Sequence, residues 1–190
     1  MNNEQLLQMY DAIRQQPDLL VKAAARKRLI NFARYMQPDL VLEPFHVVYY
    51  TLLDMFAHGK IRKMIVQQPP QHGKSEGSSR KLPAFMLGLD PDRKICIGSY
   101  AATIARDFNR DVQRIIDTPR YRELFPGTYL NGSNVVTMAN TYLRNSDVIE
   151  MVGRKGSLRV VGRGGSLTSK TVDVSILDDV YKDYAEGNSP

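Results

Sequence analysis

The sequence predicts an α/β domain with a largely parallel central sheet, and three observations carry that expectation. Strand-like and helix-like apolar periods alternate along the chain and then give way to short strands. With 190 residues, 43% of them hydrophobic, the chain is long enough for one well-buried core. It also contains no internal repeat, low-complexity tract or linker that would divide it.

Two helical patterns open the chain, over 4–15 and 19–35, with Gln16-Pro17-Asp18 as the break between them. They are expected to form a helical packing appendage over 1–43, ahead of a core over 44–190. A third helix is predicted over 44–58, with Phe45, Val48, Tyr49, Leu52, Leu53 and Phe56 as apolar positions and Gly59 as its stop. "RKMIVQQ" then reads as a buried strand. From Lys74 the period is helical again to about Leu87, with Pro83 kinking the helix or shifting its start. "LDPDR" is a turn, "KICIGSY" a second strand, and 101–117 a helix with Ile104, Phe108, Val112, Ile115 and Ile116 on its apolar face. A loop-rich stretch over 118–132 follows. "DVIEMV" and "SLRVVGR" flank "GRKG" as a hairpin, and "VDVSILDD" is an apolar strand ending in two carboxylates.

Composition narrows the function classes. A charged fraction of 24% argues against disorder and against a membrane protein, and no apolar run approaches a membrane-spanning length. The polar N-terminus lacks a secretory layout, so the chain is expected to be cytosolic. The single cysteine, Cys96, rules out an internal disulfide and a Cys-based metal cluster, and it reads as a small buried hydrophobe. A net charge of +6 and a pI near 9.4 suit a polyanionic partner. The one basic cluster, Lys22 to Arg28, fits a solvated helix face as well as a DNA contact.

The motif that carries chemistry is His72-Gly73-Lys74-Ser75 in "IRKMIVQQPPQHGKSEGSS". It reads as a phosphate loop, G-x-x-x-x-G-K-[ST], with Gln68 in place of the first glycine. The Gly-Lys-Ser tripeptide alone is a weak signal, but it is predicted between a strand and a helix, where backbone N–H groups and the helix dipole cradle phosphate. Pro69 and Pro70 set the turn that the first glycine would otherwise make. Gly73 lets the backbone approach phosphate without a Cβ. The strand "VSILDD" supplies the complementary acidic end. Asp178 is placed to hold magnesium together with the Ser75 hydroxyl, and Asp179 to orient or deprotonate an attacking water. The competing reading makes the two aspartates a cap for a helix beginning near Tyr181.

"PPQHGKSE", followed by "GRGGSLTSKTVDVSILDDVYKDYAEGNSP", resembles the N-terminal ATPase domain of the large terminase subunit, the genome-packaging motor of tailed bacteriophages. The resemblance is best over 44–190. It implies a P-loop NTPase fold of the ASCE type, with ATP and Mg2+ as cofactors. It assigns Lys74 to the β/γ-phosphates, Ser75 and Asp178 to the metal, and Asp179 to catalysis. The remaining loop residues Gln71, His72, Gly73 and Glu76 would line the nucleotide, with His46 near the adenine. It further implies double-stranded DNA, a portal protein and a small terminase subunit as partners, a homo-oligomeric ring on the portal, and the cytoplasm of the infected or lysogenic bacterial host as location.

Two departures stand out. Gln71 occupies a position where many members carry Arg, so transition-state charge needs another source; Arg163 in "VGRGGS" is the candidate arginine finger, with DNA contact or a solvated loop charge as its other roles. The family also continues past the acidic strand into more ATPase core and a nuclease domain, so the chain is expected to be an incomplete ATPase core. A helicase-like DNA-remodelling ATPase and a nucleotide-binding module without turnover are the alternatives.

Overall fold

The computed structural model describes residues 2, 5, 17–137, 141–165 and 171–181. The helix expected over 4–15, the "SLTSK" stretch and everything after Tyr181 lie outside the described residues. Within them the protein is mixed α/β, with helices flanking a four-stranded, mostly parallel sheet.

The N-terminal segment differs from expectation. Two helices, α1 (Pro17–Lys27) and α2 (Leu29–Met36), stand where one was predicted over 19–35. Arg28 between them is extended, with φ −133 and ψ 128. The cause is tertiary: the Leu29 N–H donates to Asp54 Oδ1 at 2.8 Å, and Arg28 Nε lies 3.3 Å from the other oxygen of the same carboxylate. Asp54 belongs to α3 (Pro44–Ala57), whose start at Pro44 follows from the free first-turn N–H positions of a helix.

A π-helical turn (Glu76–Lys81) leads directly into α4 (Leu82–Leu89). Pro83 follows the π-helical turn by two residues in a continuous helix, so its missing N–H leaves one carbonyl of that turn without a helical donor. Next come β1 (Lys94–Ser99) and α5 (Ala102–Asp117), close to their predicted bounds. A short helix, α6 (Pro119–Leu124), lies inside the stretch expected to be loop. Its signal was present as Thr118-Pro119: the threonine hydroxyl accepts the Tyr121 N–H at 3.2 Å, and proline fills the first helical position.

The predicted hairpin is β2 (Val148–Glu150) with β3 (Ser157–Gly162), and the acidic strand is β4 (Val174–Leu177). The order across the sheet is β2-β3-β1-β4. Both β3 and β4 run parallel to β1, and β2 is antiparallel to β3. Parallel pairing brings the C-terminal ends of β1, β3 and β4 to one edge, where Gly98 stands opposite Leu177 and Ser99 opposite Gly162.

The strand expected from "RKMIVQQ" is absent from this sheet, and that expectation is corrected. Residues 62–66 run beside β4 across a groove of about 610 Å³. Met64 and Val66 pack against the core while Ile65 is 91% exposed. The alternation of a strand is therefore satisfied by side chains without a backbone ladder. Only three apolar residues stand between the charged Arg62-Lys63 and Gln67-Gln68-Pro69-Pro70, which leaves little length to pair with a four-residue partner.

One core joins all layers. Phe32 of α2, Phe85 of α4, Tyr121 of α6 and Phe125 form a ring cluster with centroids 5.2 to 6.4 Å apart. The Tyr121 hydroxyl donates to the Ala84 carbonyl at 2.8 Å, so even this fully buried phenol is satisfied. Ile95, Ile97, Leu158, Val160 and Ile176 carry the same core into the sheet.

Asp54 is the joint between α2 and α3. Asp54→Ala leaves the buried Leu29 N–H unpaired, so unfolding in urea should show a loss of about 1 to 3 kcal/mol. A midpoint equal to that of the unsubstituted protein would show that the clamp contributes nothing.

Candidate functional site

The loop between residue 66 and the π-helical turn depends on two left-handed residues, Gln71 at φ +63 and Gly73 at φ +74. For Gly73 this geometry is free of strain, and a Cβ there would meet His46 Nε2 at 3.4 Å. For Gln71 it costs on the order of 1 kcal/mol. Gln68, at the position of the first glycine, has a buried side-chain oxygen with no hydrogen-bond partner among the described residues.

Past Gly73 the backbone of Lys74 is held from two sides. Tyr49 of α3 donates its hydroxyl to the Lys74 carbonyl at 2.6 Å, and Ser78 Oγ donates to the same oxygen at 3.0 Å. Tyr49 reaches that carbonyl by crossing Gly77, where a Cβ would lie 2.6 Å from its ring. Gly77 is thus required for close approach rather than for a special φ. Burial pushes the Tyr49 phenol up to about 12, so it remains a donor throughout the neutral range.

The Lys74 side chain turns toward the end of β4. Its Nζ lies 2.6 Å from Asp179 Oδ1 and 3.6 Å from Asp178 Oδ1. The hydrogen bond to Asp179 is the main reason why the Lys74 ammonium is held above its ordinary range, and burial opposes it. Asp178 is 3% exposed, and its Oδ2 accepts from Ser79 Oγ at 2.6 Å. Its N–H donates to the Gly98 carbonyl, which carries the β1–β4 ladder to its last residue. Asp179 is exposed and left-handed, with φ +46, and its carbonyl accepts the Tyr100 N–H at 2.9 Å. That tether turns the chain sharply at the strand end and aims the second carboxylate back at Lys74.

Other predicted site residues are distributed as follows. Ser75 is half-buried at the start of the π-helical turn; the hydroxyl that bonds Asp178 is that of Ser79, four residues on. Glu76 pairs with Lys81 Nζ at 3.0 Å and lies 3.8 Å from Arg80 Nε. His46 Nδ1 accepts the Glu43 N–H at 3.0 Å, so a neutral ring carries its proton on Nε2, the edge that faces Gly73. The His46 ring stacks on Phe45 at 3.9 Å, and His72 lies 5.6 Å from Phe45. Arg163 directly follows β3, at the same sheet edge as the carboxylates, with its guanidinium 5.6 Å above the Tyr181 ring.

The donor set at β4 consists of carboxylate and hydroxyl oxygens from Asp178, Asp179 and Ser79, with Ser75 on the facing turn. Hard oxygen donors of this kind suit Mg2+, which is usually held by one or two carboxylates together with substrate phosphates. Lys74 and Asp178 also line the groove of about 610 Å³ beside β4, whose other lining residues are mostly those of 62–66 and 173–177.

The chain matches no protein-family model, no curated protein and no solved structure.

Three residues of the site escape sequence reasoning. Ser79 and Tyr49 have no motif of their own, and Ser99, at the end of β1, has a buried hydroxyl without a hydrogen-bond partner among the described residues. Ser79 stands four residues after Ser75, and it is Ser79, not the expected Ser75, whose hydroxyl meets the Asp178 carboxylate.

The raised phenol of Tyr49 gives a pH prediction. Its neutral form is favoured in the folded state, so the stabilisation is complete below about pH 10 and is lost as pH rises toward about 12. Tyr49→Phe should be about 1 kcal/mol less stable at pH 8, from the lost hydrogen bond. Between pH 10 and 12 it should lose less stability than the unsubstituted protein, by on the order of 2 kcal/mol. Parallel stability curves over that interval would exclude a role for the Tyr49 phenol.

Proposed function

We propose that this protein is the P-loop ATPase domain of a DNA-packaging terminase large subunit. The observation that carries the nucleotide part is the Lys74–Asp179 contact: a Gly-Lys-Ser loop and an acidic strand end, 105 residues apart, meet at 2.6 Å. The terminase part rests on the resemblance of "PPQHGKSE" and "GRGGSLTSKTVDVSILDD" to that family. The sheet edge is also where ligands bind in open parallel α/β folds.

On this reading the ion pair is the resting arrangement of the site. An incoming triphosphate offers Lys74 a stronger anion than the exposed Asp179 and draws the ammonium away. Asp179 is thereby released to accept a hydrogen bond from water, which it positions for in-line attack on the γ-phosphorus as the bond to the β–γ bridging oxygen breaks. Lys74 stabilises the charge that develops on the transferred group. Asp178, fixed by Ser79, would hold Mg2+ together with Ser75 or Ser79; bound there, the ion neutralises phosphate charge and orients the γ-phosphoryl group. Arg163 is the cation placed to contribute from the same edge.

A nucleotide-binding module without turnover is the second reading, and one observation favours it: with Gln71 in the loop, Lys74 is the only cation that the loop residues 68–76 carry. Calorimetry with ATP alongside a phosphate-release assay separates the two readings. For an ATPase, Lys74→Ala should lower ATP affinity at least about tenfold and abolish turnover. Asp179→Asn should retain binding and lose about 100-fold or more in turnover. Phosphate release by both variants at the rate of the unsubstituted protein would overturn the assignment. Binding without release by the unsubstituted protein would select the second reading.

A further inference from the structure

Ser99, the last residue of β1, has a buried hydroxyl without a hydrogen-bond partner among the described residues, and it stands one strand away from the buried Asp178. We infer that Ser99 is a positioning residue for Asp178, donating its hydroxyl to that carboxylate as the Lys74 ammonium is withdrawn. In naming nucleotide as what withdraws Lys74, this role rests on the ATPase reading; the Ser99–Asp178 contact does not.

The backbone brings the two side chains together. Ile97 is in register with Ile176 across β1 and β4, and alternate residues of a strand share a face, so Ser99 and Asp178 follow them on the same face of the sheet. The Asp178 N–H donates to the Gly98 carbonyl at 2.9 Å and the Tyr100 N–H to the Asp179 carbonyl at 2.9 Å, so Ser99 lies between the two bonds that pin this end of β4. Neighbouring strands are roughly 4.8 Å apart, a gap that rotation about the Ser99 Cα–Cβ bond lets the hydroxyl bridge. On its other side Ser99 is in register with Gly162, where a Cβ would lie 2.6 Å from the Ala102 nitrogen. The bare Gly162 thus lets the start of α5 close over this end of the sheet, where Ser99 is 3% exposed.

The need for a donor arises at one oxygen. Asp178 Oδ2 is satisfied by Ser79. Among the described residues, Oδ1 has the Lys74 ammonium at 3.6 Å as its counter-charge, too far for a hydrogen bond. Withdrawing that cation leaves a buried carboxylate oxygen unmet, which is costly away from water. The hydroxyls already bonded around Lys74 and Asp178 are committed: Tyr49 and Ser78 both donate to the Lys74 carbonyl, and Ser79 serves Oδ2. Ser99 keeps an unused donor, and its own unmet hydroxyl gains a partner in the same motion. A carboxylate oxygen accepts more than one hydrogen bond, so the contact steadies Asp178 without closing it to a further ligand.

A double-mutant cycle followed by urea unfolding of the full chain at pH 8 tests the contact without nucleotide. In the unsubstituted protein, Ser99→Ala removes a hydroxyl that is unbonded at rest, so the unfolding midpoint should stay the same or rise. Lys74→Ala mimics withdrawal of the ammonium, and in that background Ser99→Ala should raise the unfolding equilibrium constant at least about tenfold. Ser99→Cys, close in shape but a weak donor, should repeat both results. A residue that merely packs costs the same in both backgrounds, so equal losses would overturn the proposal. Calorimetry with ATP in the presence of EDTA gives the second readout, in which Ser99→Ala should weaken binding about tenfold. An ATP affinity unchanged by Ser99→Ala would overturn the nucleotide-linked role. Failure of the unsubstituted protein to bind ATP would instead overturn the ATPase reading, and the urea cycle would still decide whether Ser99 serves Asp178.

Discussion

The structure around the candidate site depends on one buried carboxylate. Asp178 is withdrawn from water at the end of β4, and an ionised carboxylate there is tolerated only if its oxygens are met. Ser79 meets one oxygen with a short hydrogen bond, and Lys74 approaches the other. Each contact constrains a different element. Ser79 can reach Asp178 from its place in the π-helical turn, and Lys74 can reach it because the loop passes through a left-handed Gly73. The widened turn is thus matched to the carboxylate it serves, in keeping with the frequent placement of π-turns at functional positions.

The strain in the same region has a direction. Gln71 and Asp179 are the two non-glycine residues with positive φ among those described; Gln71 lies in the loop that leads to Lys74, and Asp179 contacts the Lys74 ammonium. A left-handed Asp179, anchored through its carbonyl to Tyr100, holds its carboxylate against Lys74 at 2.6 Å although it is well exposed to solvent. The pair is favourable enough to hold the lysine in place and accessible enough to be exchanged, since exposed ion pairs are worth little.

The two ends of the sheet differ in how they treat charge. At the C-terminal edge, cation and carboxylates neutralise one another and are braced by Tyr49, Ser78 and Ser79. At the N-terminal edge, cations collect with backbone amides already engaged. The first arrangement fixes its charges in close pairs, and the second leaves Arg154 and Lys155 exposed in a turn. A net charge of +6 could not separate them, because composition counts charges without recording which are paired.

Local chemistry was legible in the sequence. The carboxylates after an apolar run, the hairpin, β1 and α5 all follow from periodicity and turn residues, and the structure has these elements in place, whereas the strand expected before the Gly-Lys-Ser loop is absent from the sheet. What the sequence could not determine were choices made by partners distant in the chain. Asp54 decides that α1 and α2 are separate helices, by capturing the Leu29 N–H from 25 residues away. Packing of alternate side chains lets 62–66 lie beside β4 without joining it, although the apolar run alone reads as a strand. Tertiary structure likewise chose Ser79 over Ser75 as the partner of Asp178, because the width of a helical turn shifts which face residue meets a given neighbour. Spacing within a segment fixes which residues share a face, whereas the identity of what that face meets is decided only when the chain closes on itself.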